Sequence, residues 1–140
     1  MTAEEIIEQL ALEPHPEGGH YHETWREKAA AGERGSGTAI YYMLRQGERS
    51  HWHRVDAAES WHFYAGAGLA LSVNTGAGET EHLRLGADLA LGERPQAIVP
   101  KGAWQCAETL GDWTLVGCTV SPAFDFAGFE LAPPGWSPTA

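Results

Sequence analysis

Two histidines one residue apart, in His51-Trp52-His53, are the strongest chemical signal in the chain. In an extended strand, residues i and i+2 project from the same face, so two imidazoles at this spacing stand side by side. Neutral imidazole nitrogens arranged in that way suit chelation of one metal ion. Glu59 follows after a short turn, at the start of the run ESWHFYA, where an antiparallel neighbour would face the same interior. Two imidazoles and a carboxylate form a facial site for Fe, Mn, Ni or Zn. The expected metal set from these residues is His51, His53 and Glu59.

The same residues suggest acid/base work, because imidazole titrates near neutrality. His53, Glu59 and His62 are the candidate catalytic groups. Strand alternation places Glu59, Trp61 and Phe63 on one face and His62 on the other. His62 joins the pocket only through a bulge. Six tryptophans in 140 residues make a heavy aromatic load, and Trp52, Trp61 and Trp104 flank the polar cluster. Aromatic walls with a few polar groups describe a small-molecule pocket. Trp52, Trp61, Phe63, Tyr41, Gln105 and Glu17 are its expected lining. Only one of Tyr41 and Tyr42 can point inward, and Glu17 in the turn Pro16-Glu17-Gly18-Gly19 reaches the pocket mouth.

The elements that must position these groups are short. Thr2 and Glu5 form a capping-box pattern, and Ile6, Ile7 and Leu10 recur at helical spacing. One helix is expected over 3–11, ended by Pro14 and Pro16. Strand-like runs follow at 20–26, 38–45, 50–53, 59–65, 68–74, 80–85, 96–100, 103–107, 113–120 and 129–131, punctuated by Gly, Pro, Asn and Asp. Regularly spaced short strands argue for a sandwich or closed barrel, and closure removes exposed edges. The expectation is an all-β domain spanning 1–140, its barrel over 18–131. The Gly- and charge-rich stretch 29–37 reads as a mobile loop, and 132–140 as an irregular tail.

The two chemical stretches resemble a known pair of motifs. Gly47, His51, His53, Glu59 and Gly66 are similar to the first cupin motif, and Gly92, Pro100, Gly102 and Gln105 to the second. AIYYML, SHWHRV, ESWHFYAG, VPKGAWQ and LVGCTVSPAFDFAGFEL extend the resemblance over about residues 5–131, to the branch called cupin 5. The resemblance implies a double-stranded β-helix, or jelly-roll barrel, that is usually a homodimer. It implies no established reaction. The resemblance puts Gln105 in the fourth position of the metal set, where metal-binding cupins carry their last histidine. An amide oxygen is a weak ligand for borderline metals and more often hydrogen-bonds a bound molecule, so a pocket without metal is the alternative expectation.

Composition narrows the partners. With 19 acidic and 9 basic residues the net charge is −10, which disfavours nucleic acid and anionic membrane surfaces. No apolar run reaches membrane-spanning length. Cys106 and Cys118 read as reduced thiols, and the acidic opening MTAEEIIEQL does not fit a signal peptide. A cytoplasmic location is the expectation. The functions in view are an isomerase or epimerase acting on a sugar-like or other small polar metabolite, a metal-dependent oxygenase or isomerase, and a non-catalytic binding module.

Overall fold

The computed structural model describes residues 1–138. Helix α1 covers Ala3–Gln9 and is closed at its start by the Thr2/Glu5 capping box. It stops short of residue 11 because Ala11 turns left-handed, at φ 54°. Strands follow as β1 (Glu13–Pro14), β2 (His20–Arg26), β3 (Thr38–Arg45), β4 (Ser50–Val55), β5 (Ala58–Gly66), β6 (Leu69–Asn74), β7 (Glu81–Leu85), β8 (Gln96–Val99), β9 (Trp104–Thr109), β10 (Trp113–Ser121) and β11 (Phe129–Leu131). Every strand expected from the sequence is present, and β1 is an addition that the two flanking prolines had masked. No helix among the described residues is long and apolar enough to cross a membrane.

The strands pair antiparallel into two sheets, ordered β1-β2-β3-β10-β5-β8 and β11-β4-β9-β6-β7. Their inner faces meet in a core of Leu44, Trp61, Leu69, Leu71, Leu85 and Val116. The alternation of each strand decides what enters that core. Along β3, Tyr42 and Leu44 point into it, while Met43 on the opposite face packs under Ile6 and Leu12 beside α1. The apolar face of the helix thus covers one outer sheet surface.

The opposite outer surface has its own cover. Trp52, Cys106 and Ala132 are buried together, with Trp104 and Trp136 packed against them. The expected irregular tail is therefore held down: Ala132 N–H donates to the Trp52 carbonyl oxygen at 2.9 Å, and Trp136 lies edge-on to Trp52. Residues 139–140 of that tail lie outside the described residues. The stretch 29–37 has no regular structure, as expected for a loop. It is nonetheless tied to its surroundings, since Arg34 forms a forked pair with Asp56 at 2.8 and 3.0 Å.

Candidate functional site

One end of the barrel holds a cavity. Ile40 and Thr38 line it one and two inward steps before Tyr42 on β3, and Val120 and Cys118 line it from β10. His53 enters from β4 and Glu59 from β5. Both are almost fully buried. The cavity volume is ≈ 40 Å³, and Phe124, Phe126 and Phe129 stand at its mouth. These three rings pack edge to face, with centroids 4.9, 5.8 and 5.9 Å apart.

His53 is oriented by its own strand. Its Nδ1 lies 2.8 Å from the His51 carbonyl oxygen, an acceptor, so Nδ1 carries the proton and Nε2 is left with its lone pair. Burial holds this imidazole below its ordinary pKa, opposed by the charge of Glu59 and the His51 hydrogen bond.

Glu59 is pushed up to about 7, chiefly by burial, with the nearby Glu17 adding to the rise. His53, Gln105 and Cys118 pull the other way. Gln105 is the key to its orientation. Trp61 Nε1–H can only donate, and it donates to Gln105 Oε1 at 2.9 Å. The amide nitrogen of Gln105 therefore faces Glu59 and donates to Oε1 at 2.9 Å.

Glu17 sits deeper than the mouth position expected for it, with its side chain only 10% exposed. The turn between β1 and β2 is pressed against β4: a Cβ on Gly18, at φ +110°, would stand 2.0 Å from the Arg49 carbonyl oxygen. Only glycine fits so close an approach at that φ. The His51 N–H donates to the Glu17 carbonyl oxygen, and the Tyr42 hydroxyl donates to that of Gly18. The Glu17 carboxyl accepts from the Ser50 hydroxyl and lies 3.6 Å from His53 Nε2 and 3.4 Å from His15 Nδ1. His15 Nδ1 itself accepts from the Glu17 backbone N–H at 3.0 Å. Burial raises the pKa of Glu17 and lowers that of His15.

The structure brings together His53, Glu59 and Glu17, and separates the other residues expected at the site. His51 does not share a face with His53. The pairing of β4 with β9 slips between Ser50 and His53, so one extra residue on β4 breaks the period of two. Ser50 and His53 both turn inward, and His51 Nε2 is held 3.0 Å from the Pro133 carbonyl oxygen. Gln105 lies behind the cavity, with both ends of its amide engaged. Trp61 is core, and Phe63 packs against that core. Trp52 belongs to the outer cluster beneath the tail. Tyr41 faces outward against Tyr64, and its neighbour Tyr42 is the inward one. His62 keeps to the outer face, within 3.2 Å of Thr119 Oγ1 and Gln96 Nε2, because no bulge intervenes between Glu59 and His62.

These placements decide the fit of a metal. Among the described residues, no three His, Cys, Asp or Glu side chains form a group that could hold one. The set His51, His53, Glu59 and Gln105 does not assemble, since His51 points away and the Gln105 oxygen is taken by Trp61 Nε1–H. We expect His51→Ala to cost about 1 kcal/mol, the worth of its bond to Pro133, and to leave turnover at the cavity unchanged. Urea unfolding and initial rates on one preparation check both.

Sequence reasoning missed His15, Tyr21, Glu23 and the three phenylalanines. The phenylalanines carried a faint signal, Phe124 and Phe126 alternating in the run before β11. His15 and Tyr21 carried none, because they flank a turn whose docking against β4 no local pattern reveals.

A barrel of two antiparallel sheets that holds a polar cavity at one end is the cupin architecture, the double-stranded β-helix. The model of the Cupin superfamily (DUF985) matches residues 4–132, and the chain belongs to this family. A solved protein of Shewanella oneidensis is 44% identical, with a TM-score of 0.89 over 94% of this chain and 85% of that one. A hypothetical protein from Leishmania major is 32% identical, with a TM-score of 0.88 over 94% of this chain and 88% of that one. The dTDP sugar isomerase from Desulfovibrio desulfuricans shares the fold at 12% identity, with a TM-score of 0.62 over 84% of this chain and 83% of that one. A comparison with curated proteins finds no match.

Proposed function

We infer that the cavity performs proton transfer on a small polar metabolite, as an isomerase or epimerase does. One observation carries this reading: Glu59, raised to about 7, shares a cavity with the buried His53, whose pKa burial lowers below its ordinary 6.5. Opposed shifts of this kind give an acid and a base at the same pH. Near neutrality His53 Nε2 has a free lone pair, and a large fraction of Glu59 still carries its proton.

The chemistry follows from those two states. His53 Nε2 takes the proton from a carbon beside a carbonyl. The C–H electron pair becomes the new C=C bond, and the carbonyl oxygen takes the proton of Glu59. The enol then collapses by the reverse transfers, with a proton returned to the neighbouring carbon or to the other face. Neutralising the developing oxyanion with a positioned donor is where most of the acceleration arises. Gln105 holds the Glu59 carboxyl in place, and Glu17 lies against the base. The cavity of ≈ 40 Å³ has room for about three water-sized positions, so only the reacting end of a metabolite, or a very small one, fits. The sugar isomerase named above supports a sugar-like substrate by analogy of fold alone.

The test is solvent exchange. The protein is incubated in D₂O with small aldoses, ketoses and other carbonyl compounds, and deuterium uptake beside the carbonyl is followed by NMR. Uptake above the buffer rate, abolished in His53→Gln, is expected. A compound that binds and returns without deuterium would overturn the reading in favour of a non-catalytic binding module.

A further inference from the structure

Every ordinarily charged side chain lining the cavity is an acid, namely Glu17, Glu23 and Glu59. The imidazoles of His15 and His53 complete its polar lining, and none of the described lysines or arginines contributes. Glu23 at the rim is already paired with Arg26 at 2.7 Å. Glu17 contacts only imidazole rings and hydroxyls, and Glu59 is bonded by an amide and a thiol. Two carboxyl groups thus lie buried with no guanidinium or ammonium beside them.

The rest of the wall suits a cation. Phe124, Phe126 and Phe129 cluster at the opening, and Phe126 is 52% exposed there. His15 stacks edge-on to Tyr21 at 4.5 Å, which extends the ring surface. Aromatic faces carry partial negative charge and attract ammonium groups. A phosphate or carboxylate entering the same space would meet two acids and no fixed cation, and burying an unpaired charge is costly. An ammonium group would instead find N–H acceptors in both carboxyls and supply the counter-charge of whichever is ionised, which no lysine or arginine at the cavity provides. The net charge of −10 draws cations toward the molecule as a whole.

We propose that the ligand of this cavity carries a protonated amine, its N–H groups donating to Glu17 and Glu59 and its carbon substituents lying against Phe126 and Phe129. The amine deepens the proton-transfer reading by naming the substrate class, and rests on that reading for its chemistry but not for its binding. Phosphorylated sugars and simple carboxylic acids are excluded as occupants of the cavity.

Three near-isosteres of different charge test this: isopropylammonium, isopropanol and isobutyrate, each titrated into the full chain and followed by ¹H–¹⁵N NMR. Isopropylammonium is expected to bind at least ~10-fold more tightly than isopropanol, with isobutyrate weakest. Phe126→Ala, which alters a half-exposed side chain, should weaken isopropylammonium by about 3- to 30-fold. Glu17→Gln should weaken it by a similar factor and leave isopropanol unaffected. Equal affinity for isopropanol, tighter binding of isobutyrate, or no binding of the amine would overturn the proposal. Solvent exchange confined to neutral carbonyl compounds would sink the amine alone. Amine binding in a protein that exchanges no proton would sink proton transfer alone.

Discussion

Glu59→Gln is expected to lower the rate of solvent exchange into any accepted substrate by about 10²- to 10⁴-fold, the range in which positioned acids and bases act. The amide is nearly isosteric and still accepts from Gln105 Nε2, so the floor of the cavity stays as it is. What it cannot do is deliver a proton. The wild-type rate should fall as pH rises through about 7, where Glu59 loses the proton it donates, and this limb should vanish in the variant. Stability provides an independent reading of the same group. A carboxyl whose folded pKa lies above its ordinary 4.5 binds its proton more tightly in the native state. Its contribution is fully present below about pH 4.5 and is lost as pH rises through 7. At about 1.4 kcal/mol per pKa unit, the loss approaches about 3 kcal/mol. His53, held below its ordinary pKa, has the opposite slope on the acid side of 6.5 and offsets part of it. Urea melts at pH 4 should therefore find wild type and Glu59→Gln alike, and melts at pH 8 should find the variant more stable. A variant that keeps its rate, or the same stability difference at both pH values, would remove Glu59 from the proposed role.

That Glu59 shares the inner face with Trp61 was legible because β5 alternates without a slip from Glu59 to His62. The same rule correctly set His62 on the far face. It failed at His51, where a single slip of register reverses the side-chain direction, and no residue type in Ser50-His51-Trp52-His53 announces a bulge. The fold was more legible than the site for a physical reason. Strand boundaries are written locally, in Gly, Pro and Asp turns and in β-branched runs. The cavity is made where segments distant in sequence dock: the turn at 15–19 against β4, and residues 124–129 over the mouth. Tryptophan content pointed to aromatic walls, yet Trp61 fills the core and Trp52 seals an outer face. The aromatic residues at the mouth are phenylalanines from the end of the 121–129 connection, a single 3-10 turn and the first residue of β11, too short a stretch for hydrophobic periodicity to register.

Gln105 has the second large effect. Gln105→Leu keeps the volume at this buried position and removes both ends of the amide. Trp61 Nε1–H then has no acceptor, and an orphaned buried donor costs about 1–3 kcal/mol. The Glu59 carboxyl loses a donor that favours its ionised form, so its pKa should rise further above about 7. Together the two losses should destabilise the protein by about 2–4 kcal/mol, and the limb of the pH–rate profile assigned to Glu59 should move to higher pH. Adding Trp61→Phe to Gln105→Leu removes the orphaned N–H and should recover part of the stability while leaving the displaced limb where it is. A double-mutant cycle across positions 61 and 105, measured by urea unfolding, isolates that recovery. The displaced limb is the decisive readout, because a residue that merely filled the core would change stability and leave the titration of Glu59 untouched. If Gln105→Leu unfolded within about 0.5 kcal/mol of wild type, or kept the wild-type pH profile, the amide would have no part in holding Glu59 ready to donate.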